Sequence, residues 1–216
     1  MEAKIHAIVR DLLLFSGILS SLLYVTTTIL GAMSWESYSS TSQTVSELFA
    51  IEAPSRSLAV SLLSPYIPLI AAFALGIWIS AGRNRILHIV AALMFGYAVV
   101  NFAGSFFPMH LIGVVNSMAL TDRMHILITA VTVILMLALV YLGAYAFGKG
   151  FRLYSFGTLL VVVVFGAMAG YGGTRMASHL PTPWLGVAER INIFSFMLWI
   201  SVLAFEILTT KNGRRI

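Results

Sequence analysis

Three imidazoles and one carboxylate are the residues of this chain whose types could do chemistry together: His110, His125, His179 and Asp122. They suffice for a zinc site, which takes nitrogen and oxygen ligands in a tetrahedron. Asp122 and His125 are three residues apart, so at the start of a helix both project from one face. The same pair fits general acid–base work, with Ser46 or a water as the attacking group and Glu47 as a further carboxylate. A plainer reading stands beside it: aspartate often caps a helix, and His125 can hydrogen-bond to a neighbouring loop. No His-Glu-x-x-His spacing favours the metal. No serine elbow, phosphate loop or redox motif favours another chemistry.

Arg123, Arg175, Glu189 and Arg190 form a second candidate set. The guanidinium fork matches phosphate and carboxylate, so Arg175 and Arg190 could hold an anionic headgroup. Alternatively Glu189 pairs with Arg123 or Arg175, and Arg190 with Asp122 or Glu47, which closes an ionic network without chemistry. Thr44 followed three residues later by Glu47 fits a capping box, so Glu47 also has a purely structural role open to it.

The elements that must position these groups are helices in a membrane. Of the 216 residues 59% are hydrophobic and 10% charged, far from the roughly 25% charged of soluble domains. Apolar runs cover residues 12–33, 57–80, 86–107, 124–147, 153–171 and 191–209. Each matches the roughly 20 residues that cross about 30 Å of hydrocarbon, where the backbone must bond within its own helix. The expected fold is all-α: one six-transmembrane-helix bundle using the whole length, 1–216. The first run exceeds the 7 to 15 apolar residues of a signal peptide and reads as a retained helix.

Positive charge sets the expected orientation. Lys4, Arg10, Arg83, Arg85, Lys149, Arg152, Lys211, Arg214 and Arg215 lie on one side, nine of the thirteen bases; Arg56, Arg123, Arg175 and Arg190 lie on the other. Both termini are therefore expected in the cytoplasm. The net charge of +5 flanks the spans and suits anionic lipid headgroups, so membrane lipids are the expected partners and nucleic acid is not. No segment specifies an oligomeric state. Zero cysteines exclude disulfides and thiolate metal sites.

The outer connections, 34–56, 108–123 and 172–190, are longer and more polar than the inner ones, 81–85 and 148–152. They hold five of the eight acids, and loops on a rigid scaffold commonly carry function. In the first of them Val45, Leu48 and Phe49 share a helical face, which predicts a short interfacial helix. Gly166 with Gly170, and Ser16 with Ser20, are small pairs suited to close helix packing. Pro65 and Pro68 predict a kink, and Asn101 and Asn192 suit interhelical hydrogen bonds. No acid lies mid-span, which argues against a pump or proton-coupled transporter.

Gln43-Thr-Val-Ser-Glu-Leu-Phe-Ala50 with Pro54, Phe106-Phe-Pro108, the start of a helix from Asp122 to His125, and Gly186-Val-Ala-Glu-Arg-Ile191 together resemble the prokaryotic membrane family known as domain of unknown function 998. The resemblance spans nearly the whole chain. It implies six helices in a prokaryotic plasma membrane and no established activity. Members usually carry a small residue such as Gly where this chain has Phe49. More distantly, Ser46-Glu47 with Pro54 is similar to an element of the Frag and DRAM-like membrane proteins, some of which are associated with lipid-anchor remodelling, which implies lipids by analogy of fold.

Two classes follow. A lipid-directed hydrolase or acyl transferase would use His110, His125, His179 and Asp122 to hold zinc or to move protons. A binding or transport protein would take a lipid headgroup or small amphiphile in the same outer cup. Metal content and co-purifying lipid discriminate between them.

Overall fold

The computed structural model describes residues 2–111 and 119–210, and all the regular elements in them are helices. In order come α1 (Glu2–Met33), a single 3-10 turn (Ser46–Phe49), α2 (Arg56–Leu63), α3 (Tyr66–Ser80), α4 (Arg85–Gly104), α5 (Leu120–Gly143), α6 (Lys149–Ala177) and α7 (Leu185–Thr210). Six units are long and apolar enough to cross a membrane, α2 and α3 counting as one. Lys211, Arg214 and Arg215 lie outside the described residues.

The break between α2 and α3 falls at Ser64 and Pro65. Pro65 and Pro68 have no N–H to donate, so two rungs of the helix ladder are missing there. The helices run further than the apolar stretches. At 1.5 Å per residue α1 is about 48 Å long, more than the hydrocarbon alone requires, and Arg10 pairs with Asp11 at 2.6 Å beyond its apolar part. The third long connection is only 178–184, because α6 reaches Ala177 and α7 begins at Leu185. Polar residues such as Arg175, Glu189 and Arg190 are helical, since a helix crossing into the headgroups can carry charge at its ends.

One side of the molecule, the loop face, carries the connections 34–55 and 178–184 and the described residues between α4 and α5, 105–111 and 119. The core lies in the opposite half and at mid-depth. Phe73, Ile77, Met94, Leu139, Phe196, Trp199 and Ile200 are buried there. Gly76 lets α3 approach the α1 backbone, where a Cβ would lie 2.9 Å from Leu14 N. Trp199 packs across Gly143 and donates to Ser155 Oγ at 3.0 Å. Asn192 donates across the α6–α7 seam to the Val162 carbonyl at 2.6 Å, the interhelical role expected of it. Asn101 instead bonds to the Tyr97 carbonyl of its own helix.

Candidate functional site

The first connection is not draped on the surface. Its 3-10 turn is inserted against the bundle, with Val45, Leu48 and Ala50 buried. The short helix expected here is a single turn, and its apolar face meets α1 and α2 rather than lipid. The capping box forms: Thr44 N and Oγ1 donate to Glu47 Oε2 at 2.6 and 3.0 Å, and Glu47 N donates to Thr44 Oγ1 at 3.1 Å.

This turn is bolted to the start of α7. Arg190 Nη1 donates to the carbonyls of Ser40, Gln43 and Gly186 at 2.8, 3.1 and 3.0 Å, and Nη2 donates to the Tyr38 hydroxyl. That hydroxyl donates in turn to the Thr44 carbonyl at 2.6 Å. Burial pushes Tyr38 up to about 12, and the opposing pull of the guanidinium does not offset it. Val45 N donates to Glu189 Oε2 at 2.6 Å, and the Ser46 hydroxyl lies beside the same carboxylate. Gly186 makes the approach possible. A Cβ there would collide with the Gln43 carbonyl and stand 2.6 Å from that of Ser40.

A second polar group joins the first two long connections to α5. Asp122 accepts from His110 N at 2.8 Å and from Ala119 N at 2.9 Å, and its Oδ1 is 3.2 Å from His110 Nδ1. Hydrogen bonds of this kind are what hold an aspartate at a helix start. On the other side of the ring, His110 Nε2 lies 3.9 Å from Glu52 Oε1, while Glu52 Oε2 accepts from Leu111 N at 2.9 Å. His125 Nδ1 is 3.2 Å from the Phe107 carbonyl.

The expected polar residues therefore fall into two groups with no hydrogen bond or ion pair between them among the described residues. Ser46, Glu47, Glu189 and Arg190 belong to one; Asp122, His110 and His125 belong to the other. The four-ligand zinc set is not assembled: no three His, Asp or Glu side chains among the described residues are grouped to hold a metal. His179 is exposed at the end of α6 with φ 55°. Leu180 N bonds to the Arg175 carbonyl and His179 N to that of Met176, which makes His179 the left-handed residue of a Schellman cap. Arg123 is exposed, and Arg175 Nε donates to the Pro181 carbonyl at 3.0 Å. The ionic network expected of Glu189 and Arg190 is replaced by bonds to backbone. Tyr38, Glu52 and Gly186 were not singled out by residue type; the short Gly186-to-Arg190 spacing, one helical turn, was the available signal.

Beneath this docked loop several helix positions are less closely covered than those of the core. Side chains seven apart share a helix face, and one such face on each of α1, α4, α5, α6 and α7 loses cover over a step toward the loop face, whereas α3 stays closed from Ile77 to Ile70 and from Phe73 to Tyr66. Gly17 is buried and Tyr24 partly accessible; the same holds for Met94 and Asn101, Val162 and Ala169, and Phe196 and Glu189. On α5 the change is largest, from Met136, 3% exposed, to Thr129, which is exposed. Tyr24, Asn101, Glu189 and Ile193 are thus partly accessible and Thr129 is exposed, while Phe196 and the Tyr66–Tyr97 hydroxyl pair, 3.1 Å apart, are buried. On the outside of α7 a shallow groove of about 520 Å³ is lined by Ser40, Thr41, Val187, Arg190, Phe194 and Leu198 among others.

Six long apolar helices and polar ends define an integral, multi-pass membrane protein. The family described as Protein of unknown function (DUF998) matches residues 18–206, and the chain belongs to that family. No curated protein and no solved structure matches it.

Proposed function

We propose that this protein binds a lipid or other amphiphile, taking its polar end into a vestibule, lined by Tyr24, Asn101, Thr129, Glu189 and Ile193, under the docked loop. The observation behind this reading is the change from buried Phe196 to partly accessible Glu189 on one face of α7, repeated from Gly17 to Tyr24, Met94 to Asn101, Met136 to Thr129 and Val162 to Ala169. A closed bundle would have sealed those positions with side chains. An acid held near hydrocarbon is costly without a use or a partner, and Glu189 has one backbone N–H and a neighbouring hydroxyl. Walls of Ile193 and Phe196 with a few convergent polar groups fit the usual make-up of a small-molecule site. Arg190 serves as the bolt of the loop, so Glu189, Asn101, Tyr24 and Thr129 carry recognition in place of Arg175 and Arg190. The excess of Lys and Arg on the other face supports an extracytoplasmic vestibule in a plasma membrane.

The test is mass spectrometry of lipid retained by the purified protein. Ile193→Trp and Thr129→Trp, which fill the vestibule from two helices, are expected to lose the bound amphiphile while Glu206→Gln keeps it. Undiminished lipid in both tryptophan variants would overturn the reading.

A second reading rests on Glu52, His110 and Asp122. An imidazole oriented by one carboxylate and facing another can move protons, which suits a lipid hydrolase or acyl transferase. His110→Gln would then abolish ester turnover and leave lipid retention intact; absence of turnover in the wild type removes this reading.

A further inference from the structure

The proposed vestibule lies between two buried groups: Ala50, Ala53 and Met109, with Met176 packed against them, toward the loop face, and Phe196 with Tyr97 toward the core. Among the described residues, its side between α5 and α6 is the one left least covered. These helices touch next to their short connection, where Tyr141 and Tyr145 stand 6.4 and 6.0 Å from the Phe156 ring. Seven-residue steps toward the loop face extend that seam, from Phe156 to Val163 and Gly170 on α6 and from Tyr141 to Ile134 and Leu127 on α5. There, among the described residues, the seam is bare. Val163 is 49%, Ile134 64% and Leu127 56% exposed, and a Cβ at Gly170 would meet nothing within 4 Å. The small pair Gly166 and Gly170 is thus only half used: Gly166 meets Asn192, whereas Gly170 faces open space. On the loop side of Met136, α5 buries no residue, and beyond Val162 α6 buries only Gly172, which packs on Leu185.

We infer that this gap is a lateral doorway through which a membrane lipid enters the vestibule, its headgroup reaching Glu189 and its chains staying between Leu127, Ile134 and Val163. The inference rests on the binding reading above and adds the route and the headgroup class. Sequence stripes that close most helix pairs here frame an apolar slot continuous with the hydrocarbon. Inside the slot the charged group is an acceptor, Glu189, because Arg190 is turned to the carbonyls of Ser40 and Gln43. A carboxylate with amide and hydroxyl neighbours selects a headgroup bearing N–H or O–H donors, an ammonium above all. Phosphatidylethanolamine has such donors. Phosphatidylcholine has the same phosphate and net charge without them.

The experiment incubates the purified full-length protein with vesicles of equal parts phosphatidylethanolamine and phosphatidylcholine, and counts retained lipid by mass spectrometry. Exchange is followed by replacing the first lipid with its chain-deuterated form. Phosphatidylethanolamine is expected in excess by about tenfold, the value of one charge-assisted hydrogen bond, and Glu189→Leu is expected to erase the preference. Gly170→Trp and Leu127→Trp, both at exposed positions, are expected to slow exchange about tenfold or more, one step of 1.4 kcal/mol in the entry barrier, with the lipid ratio unchanged. Thermal unfolding of each variant confirms that it is folded. Wild-type exchange in both variants, with lipid still retained, overturns the doorway and leaves the binding reading standing. Equal retention of the two lipids overturns the headgroup class. A wild-type protein that retains neither lipid overturns the binding reading and the doorway with it.

Discussion

Phe196 and Glu189 lie seven residues apart on the same face of α7, yet Phe196 is fully buried and Glu189 is partly accessible. One helical face thus passes from a closed core to a partly open position, where the proposed vestibule begins. Thiol labelling measures this directly, since the chain has no cysteine of its own. Thr129→Cys and Ile193→Cys are expected to react with a small charged thiosulfonate at least about tenfold faster than Phe196→Cys, because the reacting thiolate needs hydration. Equal rates at the three positions would close the vestibule.

Gly186→Ala tests the bolt between the first long connection and α7. The added methyl group meets two backbone carbonyls that cannot swing aside, and overpacking of this kind costs about 1–3 kcal/mol. A lower Tm, together with faster proteolysis within residues 34–55, is the expected result. A Tm like that of the wild type would mean the loop does not dock on Gly186.

Thr44→Ala removes one half of the reciprocal Thr44–Glu47 cap, and losses of such caps run to about 1 kcal/mol. Because the same turn presents Val45 N to Glu189, lipid retention is expected to fall along with Tm. Retention that stays at the wild-type level would separate the cap from the site.

His179 distinguishes a zinc ligand from a helix terminator. At φ 55° a glycine avoids the Cβ penalty, so His179→Gly is expected to raise stability by about 0.5–1 kcal/mol with metal content unchanged. Loss of bound zinc in this variant would restore the metal reading.

Alkaline phosphatase fused at Ser40 is expected to be active, and at the C-terminus inactive, following the nine-to-four division of Lys and Arg. The reverse pattern would place the vestibule in the cytoplasmic half of the membrane.

The six spans, the proline break at Pro65 and the Thr44–Glu47 box were legible in the sequence because each depends on composition or on residues three or four apart. The helical placement of Asp122 and the cross-seam bond of Asn192 were likewise open to local reasoning. What Arg190 meets was not. Its partners are carbonyls 150 and 147 residues away, and every residue type has a carbonyl, so matching charges pointed to acids instead. The grouping of His110 with Glu52 and Asp122, and the separation of His179 from them, likewise arises where three connections converge. The proposed vestibule has no local signature. Thr129 and Gly170 read as ordinary membrane-helix residues, and whether they are buried depends on how far α5 and α6 diverge after their shared turn. That divergence is set by the packing of whole helices, which only the assembled bundle decides.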